Sequence, residues 1–285
     1  LWAAASTNQA GDITLQSAGQ IIAGVRTAGQ TLILTDQECY RSTYVGPPFI
    51  HQFERVSSAC GLIARKAVAD TPAGVFWMSG DGFFTYNGSS VSEIKCDVHD
   101  KVFNDINTAQ ISKCWAVANG PNGEVWFFYP SADSMEIDRY VVFDYKEGHW
   151  SMGALARTAG IDRGVFKTPV WGDPDGSIYN HEVGFNYDGG EVFAESGPFK
   201  IGTGDNLAVV TNLIPDELNL GDVTATFKTR LYPTSAETSH GPFTMTQPTS
   251  VRLQGRQVRM RVTGNTPSSW RVGKFRFEAK QGGKR

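Results

Sequence analysis

Val75-Phe76-Trp77-Met78-Ser79-Gly80-Asp81-Gly82-Phe83-Phe84-Thr85-Tyr86 decides how this chain is read. Four consecutive apolar residues are followed by a polar, glycine-bearing tetrad and a second aromatic and β-branched run. That is the pattern of two short strands joined by a tight turn. The same pattern recurs at Ile22–Leu34, Trp115–Tyr129 and Pro169–Tyr179. The turn glycines stand at Gly29, Gly82, Gly123 and Gly176, with spacings of 53, 41 and 53 residues. A hairpin recurring every 40 to 50 residues is how the blades of a propeller read in sequence. One such hairpin buries too little apolar surface to stand alone, so neighbouring sheets must stack.

Further strands are expected after the hairpins, at Cys39–Val45, Val91–Ile94 and Arg139–Tyr145. Each is placed to extend the blade before it. The best helical stretch is Asp97–Ile106, where Val98, Val102, Phe103 and Ile106 form a weak apolar stripe. Asp97 and Asp100 then suit the helix N-terminus, where carboxylates complement the dipole. The turn-rich Asn186-Tyr187-Asp188-Gly189-Gly190 predicts a domain boundary, giving a propeller-like domain over 1–190 and a second domain over 191–285. In the second, Val223–Leu231 alternates apolar with polar residues. Val258, Met260 and Val262 share one face opposite Arg259 and Arg261. Trp270, Val272, Phe275 and Phe277 continue the pattern if Gly273 marks a bulge. The expectation is an antiparallel β-sandwich, and for the whole chain an all-β fold.

Composition agrees with sheet. Of 285 residues, 40% are apolar, 12% aromatic and only 19% charged, enough for a sizeable core. No stretch is long and apolar enough for a transmembrane helix. The chain opens at Leu1-Trp2 without an initiator Met, so it is expected to be a piece of a longer polypeptide. Charge divides unevenly: residues 191–285 carry 13 Lys/Arg against 8 Asp/Glu, and residues 1–190 carry 13 against 21. Cys39, Cys60, Cys96 and Cys114 form no CxxC pair. They read as buried thiols of a protein made in a reducing cytosol, with one disulfide in the first domain as the alternative.

The motifs of chemistry are missing. There is no nucleophile elbow, P-loop or H-E-x-x-H helix. None of His51, His99, His149, His181 and His240 has a second histidine at ligand spacing, and Asp97, Asp100 and Asp105 do not match a calcium loop. No catalytic residue, metal or cofactor is expected. Asp173-Pro174-Asp175-Gly176 resembles the turn of the Asp-box hairpins of sialidase-like propellers, though the preceding Ser is missing, and it reads as a tight turn. The strongest charge feature runs from Arg252 to Arg285, with ten basic residues and one acid, Glu278. Arg259, Arg261, Arg271, Lys274 and Arg276 are expected on the outward side of two neighbouring strands, facing an anionic partner.

Several phrases resemble those of bacteriophage tail hub or nozzle proteins. They include Arg26–Asp36, Tyr44–Phe49, Phe76–Gly88, Gly123–Ser131, Asp138–Tyr145, Glu195–Phe199 and Arg256–Val262. The resemblance spans nearly the whole chain and carries no catalytic signature. It implies a virion structural protein of a short-tailed phage, made in the host cytoplasm. Several copies would form a ring at the tail end, below the portal and adaptor, with fibres or spikes as neighbours and DNA passing through. Family members are longer at the N-terminus, so further blades are expected there. The alternative is an adhesion module for a host-surface glycan, using Trp2, Trp115, Trp150 or Tyr187 with carboxylates; a glycosidase on a propeller would need paired carboxylates.

Overall fold

The run Gly74–Met78 is apolar without alternation because both of its faces are covered. In the computed structural model, which describes residues 3, 5, 8, 10–185, 190–202, 206–264 and 267–283, Val75, Phe76, Trp77 and Met78 are all buried. Phe76 meets Phe143 and Tyr145 of the sheet on one side, while Trp77 donates its indole N–H to the Cys60 carbonyl on the other (2.8 Å). The fold is all-β, and it divides into two compact units, 1–183 and 184–285.

The first unit is a row of small antiparallel sheets in chain order. The first holds β1 (Ile21–Thr27), β2 (Gln30–Thr35), β3 (Glu38–Gly46) and β4 (Ile50–Ser58). The second holds β5 (Val68–Thr71), β6 (Gly74–Met78), β7 (Phe83–Tyr86) and β8 (Val91–Ile94). After α1 (His99–Phe103) and a 3-10 turn, the third holds β9 (Trp115–Asn119), β10 (Glu124–Tyr129), β11 (Arg139–Asp144) and β12 (His149–Ala154). The fourth has three strands, β13 (Ala159–Ile161), β14 (Val170–Gly172) and β15 (Ile178–Asn180). The innermost strands neighbour one another: β1 lies beside β5, β5 beside β9, and β9 beside β13. These are propeller-like blades, each a meander whose first strand lies innermost.

All four repeat glycines fall in hairpin connections. Gly29 (φ +78°) follows Ala28 (φ +44°) in a two-residue loop, both with the left-handed backbone that a type I′ turn requires. Gly123 and Gly176 also have positive φ, whereas Gly82 does not. Its turn closes through the Ser79 N–H bonded to the Gly82 carbonyl (2.8 Å). Asp173 caps its turn by accepting from the N–H groups of Asp175 (3.0 Å) and Ser177 (2.9 Å).

Sheets one to three share a continuous core. Phe83 meets Phe127 (5.0 Å between centroids) and Trp150 (4.7 Å) across the junction of sheets two and three. On the other face of β10, Trp126 and Phe128 pack against Trp171 of sheet four. The expected helix is shorter than Asp97–Ile106. Its N-cap is Val98, with no side-chain cap bond, so Asp97 does not cap it. Val102 and Ile106 are buried as the stripe implies.

The second unit is a sandwich. One sheet runs in the order β16 (Phe193–Glu195), β22 (Gln257–Gly264), β19 (Val223–Arg230), β20 (Thr238–Thr244), with β17 (Phe199–Lys200) also on β22. The other runs β21 (Thr249–Gly255), β18 (Ala208–Ile214), β23 (Arg276–Gln281). Phe227 of β19 meets Phe277 of β23 edge-on across the layers (5.9 Å). The boundary expected at 186–190 lies largely outside the described residues.

Candidate interaction surface

The five basic residues expected on one face are divided between the two layers of the sandwich. β22 carries Arg259 and Arg261; β23 carries Arg276 and lies in the opposite sheet, while Arg271 and Lys274 precede it in irregular chain. The two strands are consecutive in sequence but not neighbours. The segment between them crosses the sandwich, because Phe277 must face Phe227 to fill the core. Gly273 is no strand bulge. Its N–H bonds the Asp216 carbonyl (2.6 Å), and a Cβ there would stand 2.3 Å from the Asp216 carboxylate.

Arg259 and Arg261 already have anions within their own chain. Glu195 of β16, only 14% exposed, accepts from Arg259 (2.9 Å) and Lys228 (3.2 Å), and Arg261 stands 3.6 Å from its second oxygen. Arg259 also reaches Glu237 (3.4 Å), and Arg261 pairs with Glu191 while lying over the Phe193 ring (3.6 Å). The register explains the arrangement: Glu195 pairs directly with Arg261, and Arg259 stands opposite Lys228. Glu195 of the short strand β16 therefore supplies the one anion shared by Arg259 and Lys228, which keeps the two from repelling each other. Arg271, Lys274 and Arg276 are exposed and make no ion pair among the described residues. They are what remains of the basic surface.

A different cluster lies between sheets three and four. The fully buried Asn119 amide donates to Glu124 (2.9 Å) and to Glu182 (3.3 Å), and the Trp126 indole N–H donates to Glu124 (2.9 Å). Burial pushes the Glu124 carboxyl above its ordinary range; the Trp126 and Asn119 bonds act against this, and the Glu182 and Asp144 charges act with it. Two carboxylates near one another, one with raised affinity for a proton, are the raw material of acid–base chemistry. The Asn119 amide bridges both carboxylates and so ties the hairpin end of sheet three to Glu182. Asn119 and Glu124 are paired across the Gly120–Gly123 turn, and that pairing was legible. Glu182 is 58 positions further on, with no local signal to connect it.

The aromatic residues considered for glycan stacking are committed elsewhere. Trp115 is buried, stacked on Phe128 (4.6 Å), and its indole donates to the Arg157 carbonyl (2.8 Å). Trp150 packs on Phe83 and Phe143 and donates to the Lys95 carbonyl (2.9 Å). Trp2 and Tyr187 lie outside the described residues. All four cysteines are free, and Cys39, Cys60 and Cys114 are buried. Among the described residues no group of three or more His, Cys, Asp or Glu could hold a metal ion, and no helix is long and apolar enough to cross a membrane.

No family model matches the chain, and no curated protein matches it. Among solved structures, a chain described as a glycoside hydrolase is similar over 90% of this chain and 83% of that one. The identity is 9% and the TM-score 0.27. A likeness that slight carries no argument about activity.

Proposed function

We propose that this chain is a structural protein of a bacteriophage tail, assembling with itself into a ring around the path of the DNA. The observation that carries the reading is the row of blades itself. The stretches that resemble tail hub and nozzle proteins, among them Phe76–Gly88, Gly123–Ser131 and Asp138–Tyr145, coincide with the strands and turns of successive sheets. A ring subunit needs rigid sheets and wide surfaces rather than a reactive centre. Stacked aromatic junctions such as Phe83–Phe127–Trp150 supply that rigidity. Arg271, Lys274 and Arg276 offer non-specific attraction for phosphate or for an acidic tail neighbour. The glycan-binding alternative loses support because Trp115 and Trp150 are used in packing. Antibodies raised against the purified chain test the proposal on intact particles. Labelling confined to the tail end is expected; labelling of the capsid, or of no particle, would overturn it.

A further inference from the structure

Two of the four thiols are held against each other by the backbone around them. Cys39 sits in β3, in register with Leu34 of β2 and Ser57 of β4. Cys60 comes just after β4, and three local features bring it back beside β3. Ala59 takes a left-handed backbone (φ +56°), which bends the chain sharply as it leaves the strand. The Cys60 N–H then bonds the Gln37 carbonyl (3.0 Å), and the Leu62 N–H bonds the Thr35 carbonyl (2.9 Å). Between them Gly61 is pressed so close that a Cβ would stand 1.9 Å from the Asp36 carbonyl oxygen. The Cys60 carbonyl is fixed in turn by the Trp77 indole (2.8 Å). Both cysteines are fully buried in the same core cluster, and the Cys39 thiol donates to the Cys60 sulfur. As a hydrogen bond the contact is weak at both ends. What the frame supplies is two sulfurs within reach of each other and shielded from thiols outside.

We propose that Cys39 and Cys60 are a redox pair, closed to a disulfide by a peroxide and reopened by a dithiol. The inference stands independently of the tail reading. Cys60 is the attacking sulfur. Donation from Cys39, and after it from Ser57, holds its proton affinity below the ordinary thiol range, against burial and the Glu38 charge. Its thiolate takes one oxygen from hydrogen peroxide, giving the sulfenic acid and releasing hydroxide. The Cys39 sulfur then attacks the Cys60 sulfur, and the displaced hydroxyl leaves as water with the Cys39 proton. In all, two thiols and one peroxide become one disulfide and two waters. The sulfurs close from hydrogen-bond contact to about 2.05 Å by side-chain rotation. The bond would tie β3 to the connection that enters sheet two, closing residues 40–59, with all of β4, into a loop. Such a loop restricts the unfolded chain and so stabilises the folded one. Oxidation would proceed at the rate at which the end of β4 opens locally.

Peptide mapping of the full chain tests it. The protein is treated with hydrogen peroxide at pH 8, then unfolded, alkylated and digested with trypsin. Mass spectrometry should find Thr27–Arg41 linked to Val56–Arg65, with Cys96 and Cys114 still alkylated. The thermal midpoint of the oxidised protein should rise by about 5–10 °C and fall back with dithiothreitol. Absence of that link overturns the proposal. So does a link from either cysteine to Cys96 or Cys114, or a thermal midpoint that does not move. This mapping uses the wild type and holds whether or not a variant folds. Cys39→Ser should leave Cys60 open to dimedone, which traps a sulfenic acid, and Cys60→Ser should leave Cys39 unlabelled. The reverse pattern overturns the assignment of Cys60 as the attacking sulfur.

Discussion

Glu124 shows how a single buried carboxyl shapes the stability of the row. Its ordinary value is 4.5, and burial raises it in the folded protein. The charged form is therefore a cost of folding at neutral pH. That cost is relieved as pH falls through the folded value, and it is gone below the unfolded one. Glu124→Gln keeps a carbonyl to accept from Trp126 and Asn119 without the charge. It should melt at a higher temperature than the wild type at pH 7, with the gap closing as pH falls to about 4.5. A gap that stays constant across that range would show that burial of charge is not the cause. The thiols give a second test at this scale. Burial pushes Cys96 up to about 11 and Cys114 up to about 12. Cys39, buried and donating toward the Cys60 sulfur, is held well above the thiol range. In native protein at pH 8, a disulfide reagent should modify Cys96 first and the other three only on unfolding. Rapid modification of Cys39 in folded protein would contradict the placement.

At the scale of elements, the junctions between sheets and the edge strand β16 respond to different changes. Phe83→Ala removes a fully buried ring from the junction of sheets two and three and should cost about 3–5 kcal/mol in denaturant unfolding. Arg261→Glu would face Glu191 and Glu195 and lose the Phe193 ring. It should loosen β16 and cost about 1–3 kcal/mol, more than an exposed pair because Glu195 is largely buried. Arg276→Glu, on the exposed side of β23, should stay within about 0.5 kcal/mol. Equal effects of the two reversals would restore the single basic face that the topology divides. These elements also mark how far the sequence could be read. Hairpins were visible because turn chemistry and β-branched or aromatic runs are local signals, and Gly29, Gly123 and Gly176 needed left-handed backbone. Layer membership was not visible. Alternation tells which side of a strand a residue faces, but β22 and β23 share a sequence neighbourhood and lie in different sheets. Nor did anything local reveal that Glu191 and Glu195, more than 60 residues upstream, would meet Arg261.

For the whole molecule, the account is of a row of blades and of a charged sandwich in which Lys228, Arg259 and Arg261 are answered from within by Glu191, Glu195 and Glu237. Net charge changes sign along the sequence, from 13 basic against 21 acidic residues over 1–190 to 13 against 8 over 191–285. Exposed charges of that kind set encounter and register more than folding energy. In the proposed tail reading, Arg271, Lys274 and Arg276 are the cations left for anionic neighbours. The measurement that bears most directly on the proposed function is an electron-microscopic reconstruction of intact phage particles, into which this chain is placed. The account predicts several copies of this chain around the tail axis. A single copy per particle, or copies placed in the capsid shell, would contradict it.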